Sequence, residues 1–154
     1  MEIHEFVPYL SVKNAENALC FYEKIFGVSP KLLLKMPDGR IMHCEIVIGN
    51  VRIFLSEELL EHGGTPSPVK LGGTSVAIHL YVSNCDAMVD KMVAAGSQLL
   101  SAPADMFWGE RFARVRDPFG HEWGVTTKIK SMSPSEIIDA LSRASRSQKG
   151  INHE

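Results

Sequence analysis

Two periodicities alternate along this chain, and they do so twice in the same order. Residues 6–12, FVPYLSV, read as a first strand, with Pro8 marking a sheet edge or an irregular start. Asn14 suits a helix cap. After it Ala15, Ala18, Leu19, Tyr22, Ile25 and Phe26 recur at helical spacing until Gly27 ends the run. Residues 32–36, 41–48 and 51–56 read as three strands, joined by a Pro37-Asp38-Gly39 turn and a two-residue Gly49-Asn50 turn. In the middle one Met42, Cys44, Ile46 and Ile48 form the apolar row, so His43 and Glu45 face the other way. The Gly49-Asn50 turn pairs Glu45 with Phe54.

A glycine- and proline-rich connector, 58–74, leads into a second series. Residues 75–82 predict a strand with Val76, Ile78, Leu80 and Val82 on one face and Ala77, His79 and Tyr81 on the other. Ser83 and Asp86 open a helix striped by Met88, Val89, Met92 and Val93 and closed by Gly96. A short strand, 98–101, is followed by a loop, APADMFWGER. Residues 112–116 and 121–127 then form a hairpin about Asp117-Pro118-Phe119-Gly120, a type I turn with glycine in the left-handed position. Ala113, Val115, Trp123 and Val125 share its apolar face. Arg114, Arg116, Glu122, Gly124 and Thr126 share the other. A last helix starts at Ser133-Pro134-Ser135-Glu136, and from about Ala144 the chain is polar and unpatterned, as a frayed tail would be.

The predicted fold class is therefore α+β: two tandem β-α-β-β-β modules, 5–57 and 75–128, in one domain spanning 1–130, with a C-terminal helix and tail over 131–154. The two series lie about seventy residues apart, the mark of an internal duplication.

Composition narrows the function. The chain has 154 residues and a formal net charge of -2, so no overall positive field invites nucleic acid. No apolar run approaches the ~20 residues that span a bilayer, and the acidic start MEIHEFVPYL lacks a signal-peptide layout. Cys20, Cys44 and Cys85 fit neither a disulfide framework nor zinc spacing, and are expected as reduced, mostly buried thiols of a cytoplasmic protein.

Three stretches resemble the vicinal oxygen chelate superfamily, which includes glyoxalase I, bleomycin-resistance proteins and extradiol dioxygenases. They are PYLSVKNAENALCFYEKIFG (8–27), PDGRIMHCEIVIGN (37–50) and MFWGERFARVRDPFGHEWGV (106–125), the last two most similar to its PhnB-like branch. The resemblance implies modules that curl into a cupped mixed sheet, and frequent homodimers. It also implies, for the enzymes, one divalent metal held by strand residues facing the cup. Carried over by motif, those positions fall on Val7, Phe54, Ala77 and Gly124, none of which has a metal-binding side chain. The expectation is a metal-independent small-molecule binding protein without nucleic-acid or membrane partners.

An alternative stays open. Strand parity allows His43, Glu45, His79 and Glu122 to share the cup, as a displaced site for zinc, nickel, manganese or iron or as ordinary polar lining. His43 with Glu45 is the acid-base candidate of the alternative, a lyase, isomerase or dioxygenase-like enzyme. Tyr9, Phe54, His79, Tyr81, Phe107, Trp108, Arg114 and Glu122 are the ligand-binding candidates. Phe107 and Trp108 suit a lid or a dimer contact equally. Arg116 and Glu122 read as a cross-strand ion pair, Trp123 as core and His121 as solvated.

Overall fold

The computed structural model describes residues 1–149. Its chain order is β1 (Tyr9–Val12), α1 (Ala15–Phe26), β2 (Leu32–Lys35), β3 (Ile41–Ile48), β4 (Val51–Glu57), a 3-10 turn (Leu60–His62), α2 (Pro68–Leu71), β5 (Ala77–Tyr81), α3 (Cys85–Ala94), β6 (Gln98–Asp105), β7 (Glu110–Arg116), β8 (Glu122–Lys128) and α4 (Pro134–Lys149). The strands form two four-stranded sheets with the same plan, β1-β4-β3-β2 and β5-β8-β7-β6. In each, the first strand runs parallel to the last of its module. The predicted α+β class and the twofold β-α-β-β-β repeat are what the structure shows. By contacts the chain divides into one unit of Met1–Val76 with Arg116–His121, and a second holding Ala77–Val115 and the chain from Glu122 onward.

In the first unit, alternation along the strands separates two faces. Leu10, Val12, Cys44, Ile46, Ile53 and Leu55 are buried, and α1 packs on β1, β3 and β4 with Ala15, Ala18, Leu19, Tyr22 and Ile25 turned inward. Each of the larger of these side chains contributes about 1.5–3 kcal/mol by leaving water. The helix starts where expected. Asn14 accepts from Asn17 N–H, and the Glu57 carboxylate receives the Asn14 and Ala15 N–H groups at 2.9 and 2.7 Å. In the second unit Ala113, Val115, Trp123 and Val125 form the buried face, beside Cys85, Val89 and Met92 of α3.

Three turns repeat one hydrogen-bond pattern. Met36 N–H donates to Arg40 O, Met106 to Glu110 and Asp117 to His121, with the intervening glycine N–H returning to the first residue. Gly39, Gly109 and Gly120 take φ of 89°, 88° and 89°, a region that disfavours any side chain. Gly39 and Gly109 lie seventy residues apart, as the duplication requires.

The structure corrects several expected boundaries. Ile41, not Met42, is buried on β3: the pairing of β2 with β3 slips between Leu34 and Lys35, and this bulge turns Met42 outward. The first strand begins only at Tyr9, with Phe6 exposed, and β5 begins at Ala77, with Val76 exposed. Asn84 rather than Ser83 caps α3, through the Ala87 N–H. Most of the loop APADMFWGER is strand. Pro103 lies in β6, an edge strand, where its missing N–H costs no ladder bond. Helix α4 runs to Lys149, past the expected fraying at Ala144. Residues 150–154 of the expected tail lie outside the described residues.

Candidate functional site

The face of the first sheet opposite α1 carries a compact polar and aromatic group. Register places Tyr9, Phe54 and Glu45 side by side on β1, β4 and β3, since Tyr9 pairs with Phe54 and Glu45 with Phe54. His43 stands one step along β3, on the same face as Glu45. The Tyr9, His43 and Phe54 rings make a triangle, with centroids 5.5, 5.5 and 4.8 Å apart and all three contacts edge-on.

Hydrogen bonds thread the triangle. The Tyr9 hydroxyl lies 3.0 Å from His43 Nδ1, and His43 Nε2 lies 3.3 Å from Glu45 Oε1. The other Glu45 oxygen is 3.4 Å from Arg52. The Arg52 guanidinium stands 5.4 Å over the Phe54 ring and also pairs with Glu5. His43 and Glu45 side chains are 20% and 19% exposed, whereas Tyr9 is 54% exposed, so Tyr9 is the accessible end of the chain.

The second sheet has a related face. His79 pairs with Gly124 and Tyr81 with Thr126. The His79 ring stacks on Tyr81 at 5.3 Å and on Phe112 at 5.5 Å, and its Nε2 bonds Thr126 Oγ1 at 2.5 Å. Trp108 Nε1–H donates to Glu110 at 2.9 Å. The Tyr81 hydroxyl bonds to the same Glu110 carboxylate, which raises its pKa. Phe107 meets Trp108 edge-on at 4.9 Å. Gly109 O accepts the Ile129 and Lys130 N–H groups, so Phe107 and Trp108 sit on a turn tied to the chain after β8.

In the last hairpin Arg114 pairs with the Glu122 carboxylate. Arg114 and Glu122 lie diagonally across the two strands, within reach of long side chains. His121, expected in solvent, is partly buried with Nε2 3.1 Å from Ser11 O. Trp123 is fully buried, as expected.

Arg52 and Phe112 did not stand out in the sequence, though parity with Phe54 and Arg114 puts each on the functional face of its strand. Glu5 lies outside any strand and gave no signal. The bond from Tyr22 to Asp117 joins residues 95 apart and has no sequence mark.

The family's metal positions can be tested on this geometry. Phe54 lies inside a cluster of rings. A Cβ at Gly124 would meet His79 Nδ1 at 3.0 Å and Phe112 Cε2 at 3.1 Å, so rings fill the space where a ligating side chain would start. Val7 and Ala77 offer no donor. The residues at these positions do not fit a divalent metal. Among the described residues, no three His, Cys, Asp or Glu side chains gather as a metal site elsewhere.

Comparison with known proteins agrees with the fold. The chain is 34% identical over 137 residues to the uncharacterized protein Mb0911c of Mycobacterium bovis, covering 88% of this chain and 90% of that one. It superposes on protein PA1353 from Pseudomonas aeruginosa with a TM-score of 0.65 at 24% identity, over 82% of this chain and 98% of that one. A PhnB protein from Bacillus cereus gives 0.64 at 16% identity, over 80% and 99%. No helix among the described residues is long and apolar enough to cross a membrane. The model of the Glyoxalase/Bleomycin resistance protein/Dioxygenase superfamily matches residues 2–125, and the chain belongs to that superfamily.

Proposed function

We propose that this protein binds a small, flat, aromatic molecule on the Tyr9–His43–Phe54 face, without a metal, as a member of the bleomycin-resistance type. The observation that carries the reading is the ring triangle itself. A family position that would supply a metal donor is here Phe54, boxed by an exposed tyrosine, an imidazole and an arginine over its face. Such a surface offers stacking area and fixed polar atoms in place of a cation. Glu5 and Glu45 outnumber Arg52 around it, so the face favours a neutral ligand with a carbonyl or hydroxyl over an anion.

The His79–Tyr81–Phe112 face of the second module is the counterpart, with Trp108, Arg114 and Glu122 nearby on their strands and turn. A cytoplasmic homodimer is part of the same proposal, to be checked by light scattering.

Thermal melts in the presence of EDTA test the reading, with flavone and benzoylacetone as probes. A dose-dependent rise in Tm supports binding without metal. No shift with either probe, followed by a shift once zinc, nickel, manganese or iron is added, would overturn it. A second reading, an isomerase or lyase, is favoured by the His43–Glu45 contact alone.

A further inference from the structure

We propose that Tyr9 is a proton-transfer residue, activated through His43 and Glu45, and that the face isomerises neutral aryl ketones with an acidic C–H beside the carbonyl. The inference rests on the ligand face just described and adds chemistry to it.

The direction of the hydrogen bonds follows from the groups. An ionised carboxylate only accepts, and Glu45 lies 3.4 Å from the Arg52 guanidinium. His43 Nε2 therefore carries a hydrogen toward Glu45. In the neutral imidazole that leaves Nδ1 as acceptor, so the Tyr9 hydroxyl donates to it at 3.0 Å. The order hydroxyl, imidazole, carboxylate is the arrangement by which a histidine takes a proton from a nucleophile while an acid holds the resulting imidazolium. Here the outer group is a phenol, whose oxygen can both accept and give a proton. The exposed Tyr9 hydroxyl meets the reacting carbon, and the more shielded His43 and Glu45 stand behind it.

The step balances without a co-reactant. The Tyr9 oxygen takes the C–H proton as its own hydroxyl proton passes to His43 Nδ1. The C–H electron pair becomes the C=C bond, and the carbonyl pair moves onto oxygen. The Tyr9 proton is then given to that oxygen, and His43 returns its proton to Tyr9. The product is the enol, and the protein is unchanged. Edge-on Tyr9 and Phe54 rings position an aryl group beside the phenol oxygen.

Benzoylacetone, diluted from an aprotic solvent into buffer, reports the reaction by its ultraviolet absorbance. Flavone, which cannot enolise, reports binding separately through Tm. The wild type is expected to speed the approach to tautomeric equilibrium, Tyr9→Phe to lose about a hundredfold of that rate, and His43→Gln to lose most of it. If both probes bind and the wild type gives no acceleration, or if Tyr9→Phe is as fast as wild type, the relay is overturned while the binding reading stands. If neither probe binds, both fall.

Discussion

Tyr22 and Asp117 share a 2.7 Å hydrogen bond in the interior of the first unit, with the tyrosine fully buried and the aspartate 4% exposed. Asp117 Oδ1 also accepts the Phe119 and His121 N–H groups, so one carboxylate organises the turn and anchors it to α1. Phe119 packs beside Phe21 and Tyr22, at 5.9 and 6.2 Å. Removing one partner leaves the other buried without it. Tyr22→Phe should cost about 1–3 kcal/mol and Asp117→Ala more, by urea denaturation.

The same pair predicts a pH effect. Burial first, and then the Asp117 charge and hydrogen bond, raise the Tyr22 pKa well above its usual 10.0. The folded state thus holds this proton more tightly than the unfolded one. The contribution is fully present below pH 10.0 and is lost as pH rises above it toward the folded value. Denaturation midpoints between pH 8 and 11, roughly the range spanning the unfolded tyrosine, should fall more steeply for wild type than for Tyr22→Phe. Parallel slopes would contradict the assignment.

The packing at Gly124 gives a further prediction. A methyl there meets the His79 ring at 3.0 Å and Phe112 at 3.1 Å, which forces two stacked rings apart. Gly124→Ala should cost about 1–3 kcal/mol. In a double-mutant cycle with Phe112→Leu, the two changes should couple by about 0.5 kcal/mol or more, because the smaller side chain makes room. Additive losses would show that the rings do not fill that space.

Thiol chemistry offers another. Cys20 is exposed, while Cys44 and Cys85 are buried. Burial, with Glu23 and Glu45 adding negative charge, pushes the Cys44 thiol up to about 11. Burial also raises Cys85, whose Sγ–H donates to Val125 O at 3.2 Å. Iodoacetamide at neutral pH should therefore label Cys20 alone in the native protein, and all three after unfolding, by peptide mass mapping. Rapid native labelling of Cys44 would contradict the packing of β3.

Much of this architecture is written in local signals. Asn14 and Gly27 bracket α1 as their chemistry demands, and the Ser133–Glu136 capping box forms with both of its bonds. The strand parity that set His43 and Glu45 on the face of Phe54 also holds, because it depends only on alternation. What was not legible depends on partners. The bulge at Met42 exists only once β2 pairs with β3. Pro103 looks like a break until β6 is known to be an edge. Asp117 reads as a turn residue, and nothing local says that Tyr22 awaits its carboxylate. Likewise, alternation puts Arg114 on the face of Glu122, but their contact depends on diagonal reach across the hairpin.

The face itself has an internal comparison. Glu45 faces Arg52 in the first module, and Arg114 faces Glu122 in the second, with the charges exchanged between strands. Arg114→Glu with Glu122→Arg should recover part of the stability that Arg114→Glu alone loses, since opposite charges are retained across the hairpin. Arg114→Glu alone places two carboxylates together and should lower the melting temperature; equal melting of the two variants would argue against the pair.

The most direct test is calorimetric titration of flavone into EDTA-treated wild type and Phe54→Ala. The account predicts saturable binding to the metal-free wild type and an affinity at least tenfold weaker in Phe54→Ala, a loss of about 1.4 kcal/mol or more. Binding that appears only after a divalent metal is restored, or that is equally tight without the Phe54 ring, would contradict it.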